Sequence, residues 1–228
     1  MNGDPKKILV LGDSHARECF SKMKELQPEF DFDVKFVSGA TAQGAVNPTS
    51  KTNALNIFKK KLAECNADSY HYVMIMLGEV DCGFVIWYRS EKHNISVKDQ
   101  LHLSISNLFN FIKNEVLEVF NPDQVILAGS VLPTIKDDQD WGEIAHLRKS
   151  IKATQKQRTE LTLTYNQTLK ALSSSHNYLY IDITDETINK NTNTISDEFL
   201  NSDRSNHHLS FEKTYSFWLN NLRKTLPC

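Results

Sequence analysis

The sequence predicts an α/β protein: a three-layer αβα sandwich around a mostly parallel five-stranded sheet, flavodoxin-like in broad type. Three observations carry this. Short β-branched runs alternate with longer helical stretches, the pattern of a parallel sheet covered by helices. The runs are near-continuously apolar, as a sheet buried on both faces requires. Four of the eight glycines, Gly12, Gly39, Gly78 and Gly129, stand just after the carboxyl ends of predicted strands. Open α/β sheets bind ligands outside those ends, and glycine lets a turn approach a ligand closely.

The elements follow in order. Strands are predicted at residues 8–11, 34–37, 72–77, 124–128 and 178–183, the last reading YLYIDI. The first helix carries Ala16, Cys19, Met23 and Leu26 on one face, and a second carries Leu55, Phe58 and Leu62. From about residue 98 to 120 an apolar stripe of Leu101, Ile105, Leu108, Ile112, Val116 and Val119 predicts a long helix. Asn121-Pro122-Asp123 stops it. Residues 141–172 read as helical with an interruption near 152–158, and residues 187–196 as a polar loop. A last helix carries Phe211, Tyr215, Trp218 and Leu222. With no repeat and no linker, a single domain over residues 1–228 is expected.

Composition narrows the function. Lys and Arg number 26 against 28 Asp and Glu, giving a net charge of −2 without a long run of one sign. A dedicated nucleic-acid binder should instead show a basic face or tail. A mean hydropathy of −0.43 and the absence of an apolar run near about 18 residues argue against a membrane span. The amino end reaches a strand at once, leaving no room for an export signal, and Cys19, Cys65, Cys82 and Cys228 are scattered without a CxxC. A cytoplasmic protein without structural disulfides is the expectation.

The chemistry-bearing residues lie at the strand ends. Gly12-Asp13-Ser14-His15 falls between strand one and helix one. A serine there either caps the helix or acts as a nucleophile, and the latter requires a base brought near it. The segment from Asn201 to Ser210 supplies Asp203, His207 and His208, an acid and two histidines late in the chain. Acid, histidine and serine are the parts of an acyl-transfer triad. The paired histidines have no further ligand at metal spacing on the same element, so no metal is expected. Turns at Gly39 and at Gly78-Glu79-Val80-Asp81 can offer backbone N–H groups to an oxyanion. Asp13, Gly78, Glu79 and Asp81 are candidates to line the substrate pocket. Tyr88 and Arg89, with Trp87, could line a pocket for a sugar ring or simply pack as a lid. Asn47, Ser50 and Lys51 could touch substrate from the loop after Gly39. His15 is expected at the surface or in a helix-start role.

In this order the motifs resemble the SGNH, or GDSL-type, hydrolases: GDS after strand one, glycine after strand two, G-x-x-D after strand three, and a late His-Leu-Ser. Leu132-Pro133 and Tyr165-Asn166 add weaker agreement. The resemblance implies the αβα fold, no cofactor, and hydrolysis of carboxylic esters, acetyl groups on sugars among them. It implies Ser14 as nucleophile, Ser14 and Gly39 N–H groups in the oxyanion hole, a late histidine as base and Asp203 as its orienter. His208 is favoured over His207 because Leu209-Ser210 follow it and the final helix holds it.

Two departures matter. Where the family has G-x-N-D, with the Asn side chain donating to the oxyanion, this chain has Val80, which donates nothing. Where the family has D-x-x-H, Ser205 stands three residues before His208 and Arg204 three before His207. The sequence therefore points to a serine esterase or deacylase acting on a small-molecule or glycan acyl ester. A sugar O-acyltransferase using the same residues, or a non-catalytic binding module on the same fold, are the rivals.

Overall fold

The computed structural model describes residues 4–137, 150–203 and 205–226. Five strands form one wholly parallel sheet: β1 (Lys6–Gly12), β2 (Phe30–Phe36), β3 (Tyr72–Met76), β4 (Val125–Ala128) and β5 (Leu179–Ile181). Their order is β2-β1-β3-β4-β5, so every connection crosses over through a helical segment or long loop. The α/β expectation holds.

Strand alternation sorts the core into two apolar layers. Leu9, Leu11, Val73, Ile75, Val125 and Leu127 face one side. They meet α3 (Ala54–Ala63), α5 (Val97–Phe111) and α6 (Gln155–Ser175) through Phe58, Leu108 and Tyr165. Ile8, Val10, Met74, Met76 and Ile126 face the other. There they meet α1 (Ser14–Phe20), the single turn α2 (Met23–Leu26) and α8 (Phe211–Thr225) through Phe20, Met23 and the fully buried Trp218. Burial on both faces makes the central strands apolar over residues 8–11, 73–76 and 125–128.

Local chemistry sets the ends. The Ser96 hydroxyl caps α5 by accepting from Asp99 N at 3.1 Å. Thr154 and Gln157 form a reciprocal capping box that starts α6. The helix expected to reach residue 120 passes into a π-type turn at Ile112–Val116 before Pro122 ends it. Between β3 and β4 also lies α4 (Ile86–His93), preceded by a π-type turn at Asp81–Val85.

Strand two begins earlier than expected. It is an edge strand whose Phe30 and Phe32 turn inward while Asp31 and Asp33 turn outward. That alternation lacks the continuous apolar run that marks the central strands. Asp33 is held there by Lys61 at 2.7 Å and by the Tyr70 hydroxyl. Residues 187–196, expected as a loop, contain a short antiparallel hairpin of β6 (Ile188–Asn189) and β7 (Thr194–Ile195) after the turn α7 (Thr184–Thr187). Asn193 takes the left-handed conformation that the tight reversal needs. Of the expected helix over 141–172, residues 155 onward are helical, and 141–149 lie outside the described residues. Cys19, Cys65 and Cys82 are free thiols; Cys228 lies outside the described residues. Among the described residues no helix is long and apolar enough to cross a membrane.

Candidate active site

The carboxyl ends of β1, β2 and β3 and the loop before α8 converge on Ser14. Asp13, buried at the end of β1, accepts from His15 N at 2.8 Å and so caps α1, leaving Ser14 as its first residue. The Ser14 hydroxyl lies 2.9 Å from Nε2 of His208. The other ring nitrogen, Nδ1, lies 2.7 Å from Oδ1 of Asn206.

The tautomer follows from donor and acceptor chemistry. Oδ1 of Asn206 also accepts the backbone N–H of His208, at 3.0 Å, so it is the amide oxygen that faces the ring. An oxygen cannot donate, so Nδ1 carries the proton and Nε2 offers its lone pair to Ser14. Burial, and then repulsion from His15 and His207, hold the His208 imidazole far below its ordinary 6.5, at about 2. Attraction to Glu79 only partly opposes them. The ring is therefore neutral at physiological pH, the form a proton acceptor needs.

Asp203 does not reach the histidines. Its carboxylate is exposed and folds back on Ser205, accepting from the backbone N at 2.9 Å and the hydroxyl at 2.7 Å. Those bonds hold its pKa below the ordinary carboxylate value. Asn206, two residues before His208, stands in the orienter's place that the sequence assigned to Asp203. The spacing is the signal that sequence reading passed over, since Asn side chains commonly accept from the N–H two residues on.

His207 lies beside His208, their ring centroids 4.1 Å apart, and its carbonyl accepts from the Thr134 hydroxyl. His15, expected at the surface or in a helix-start role, stands at the start of α1 but is only 3% exposed, with its centroid 4.5 Å from that of His208. Its Nδ1 is 3.5 Å from Asp13 and 3.7 Å from Glu79. Helix α1 turns this side chain under the late loop, a direction that sequence adjacency to Ser14 does not reveal. His15, His207 and His208 each bring a nitrogen within 4.8 Å of the others. Both nitrogens of His208 are already engaged, so a cation there would displace Ser14 or Asn206.

Gly39 sits in the turn after β2, which closes through Ala40 N to Val37 O at 3.0 Å. Its φ of +71° is left-handed, costing a residue with a side chain about 1 kcal/mol or more. Val37 N to Gly12 O, 2.9 Å, ties this turn to the end of β1. Among the described residues, neither the Ser14 nor the Gly39 backbone N–H has an acceptor. Val80 is half-buried at the head of the turn preceding α4 and brings no polar side-chain atom.

The four residues expected to line the pocket, Asp13, Gly78, Glu79 and Asp81, are all buried. Asp81 is fully buried and accepts from Ala42 N at 2.7 Å and Gln43 N at 2.9 Å, anchoring the loop that follows Gly39. Burial pushes its carboxyl up to about 6 against the pull of those two N–H donors. Glu79 is 4% exposed and faces His15. Gly78 has φ +136° and presses against the Tyr165 ring, whose hydroxyl donates to Leu77 O at 2.8 Å. Asp13 is taken up in capping. Asn166 bonds both backbone groups of Ser130, each at 2.8 Å, and fixes the chain after β4.

The open cavity, about 610 Å³, begins at Gly39 and runs between the loop 41–52 and α4. Asn47, Ser50, Lys51, Tyr88 and Arg89 all line it, whereas Trp87 turns inward and donates to Cys82 O at 2.8 Å.

The fold is the SGNH/GDSL hydrolase fold, shared with solved GDSL-like lipases and acylhydrolases. No protein-family model matches the sequence and no curated protein matches it significantly. Among solved structures, a GDSL-like lipase from Bacteroides thetaiotaomicron superposes with a TM-score of 0.59 at 12% identity, over 98% of this chain and 93% of that one. A lipase/acylhydrolase from Enterococcus faecalis gives 0.53 at 19% identity, over 98% of each. A catalytic mutant of an acetylxylan esterase from Geobacillus stearothermophilus gives 0.52 at 17%, over 97% of this chain and 96% of that one.

Proposed function

We propose that this protein is a serine esterase or deacylase, with carbohydrate acyl esters as its substrate class. The observation that carries the proposal is the continuous line from the Ser14 hydroxyl through His208 to Asn206, at 2.9 and 2.7 Å. In the proposed reaction the Ser14 oxygen attacks the acyl carbonyl as its proton passes to Nε2 of His208. The N–H groups of Ser14 and Gly39 receive the oxyanion. Collapse expels the alcohol, which takes the proton from His208, and leaves an acyl-serine. Water, activated by the same nitrogen, then releases the acid and restores the serine.

Two features set the level of activity. Val80 leaves the oxyanion without the third donor, a loss on the order of 3 kcal/mol where one such donor has been removed. Asn206 orients the ring but brings no charge to stabilise the imidazolium that forms, so a slow enzyme is expected. The acetylxylan esterase among the structural neighbours supports the carbohydrate acyl class. The test is release of acetate from 4-nitrophenyl acetate and from acetylated methyl glycosides, with product analysis in the presence of a free sugar. Free acetate as the main product supports the esterase. Acetyl groups recovered on the added sugar would make the protein an acyltransferase using the same residues.

A further inference from the structure

The cavity beyond Gly39 has a chemistry of its own. Its charged walls are Lys51 from the loop and Arg89 and Lys92 from α4, with His93 beside them. No carboxylate lines it among the described residues, although the chain as a whole carries net charge −2. Neither Lys51 nor Arg89 is ion-paired among the described residues. Lys92 holds its ammonium 5.3 Å from the Tyr88 ring centroid. Tyr88 in turn stacks on Phe84 at 5.5 Å and 20° and remains 39% exposed. One of the cavity's cations therefore lies against an aromatic ring that is itself stacked on a second. Such a recess concentrates positive potential, and an arginine fork matches a carboxylate or phosphate.

We infer that the cavity binds an anionic group, so that the substrate is an acyl ester whose body carries a carboxylate or a phosphate. This rests on the esterase reading for the word substrate, but the binding site itself does not. Arg89 and Lys51 take the anion, from the helix and the loop respectively. Gly39 lines the cavity and belongs to the proposed oxyanion hole, so an ester whose carbonyl is held there has its body directed to the cavity.

The test uses the full chain with Ser14→Ala, which binds without turnover. Three probes are titrated by calorimetry or NMR: a mono-acetylated methyl glucuronoside, the matching glucoside, and the matching glucoside 6-phosphate. The uronide, the phosphate or both should bind at least about tenfold tighter than the neutral glucoside, and the tighter of the two names the anion. The preference should shrink with added salt, as an exposed charge interaction must. It should fall to near unity in Arg89→Gln and, independently, in Lys51→Gln. Equal affinity for all three probes, no measurable binding of either anion, or a preference unchanged in both variants would overturn the inference. Turnover of these esters by the unsubstituted chain separates the two readings. Preference without turnover sinks the esterase and leaves the anion site standing; turnover without preference does the reverse.

Discussion

Replacing Ser14 with alanine is expected to lower kcat/KM on 4-nitrophenyl acetate by at least about a thousandfold, because nucleophile loss leaves only binding and the oxyanion donors. Folding should barely notice. The hydroxyl is half-buried and makes one hydrogen bond, to His208, so the loss should stay within about 1 kcal/mol. Asp13 still caps α1 through His15 N, which keeps the helix start intact. Kinetics and a thermal melt on the same preparation check both halves. A variant that keeps more than about a tenth of the activity would remove Ser14 from the reaction.

The second large effect separates the paired histidines. His208→Ala should cost at least about a hundredfold in kcat/KM, the low end of a general base's contribution. His207→Ala should cost several-fold at most, since its ring touches His208 but Ser14 is bonded to His208. The reverse ranking would move the base to His207. Asn206 sharpens the assignment. In Asn206→Asp a carboxylate replaces the amide oxygen at Nδ1 and favours the protonated ring, so the His208 pKa rises from about 2. The base is lost when it protonates, so the acid limb of kcat/KM against pH should move to higher pH. Above that limb kcat should increase, because the imidazolium formed during attack now has a counter-charge. A limb that stays put would show that Asn206 does not govern the ring.

The central strands were legible because burial on both faces leaves a continuous apolar run, as from Val73 to Met76. Strand two was cut short because Asp31 and Asp33 occupy its exposed face at the sheet edge. At the site, Ser14 and His208 stood out by position, one after the first strand and one before the last helix. Asn206 did not, since a neutral amide falls outside an acid-and-histidine pattern. Burial decided the rest. Glu79 and Asp81 sit at a strand end like ligand-binding residues, yet tertiary packing puts one against His15 and the other under the loop of Ala42 and Gln43. Lys51 and Arg89 were each visible as polar loop or helix residues. That they face a common cavity depends on how the loop after β2 folds over α4, which no local pattern encodes.

The most direct measurement of the central claim is covalent labelling with a fluorophosphonate, followed by peptide mass spectrometry. The reagent reacts with a serine only where a base takes its proton and the oxyanion has donors. A single phosphonyl adduct on Ser14 is expected in the native protein, with none after denaturation and little in His208→Ala. A native chain that stays unlabelled, or one that carries the adduct on another residue, would contradict Ser14 as an activated nucleophile.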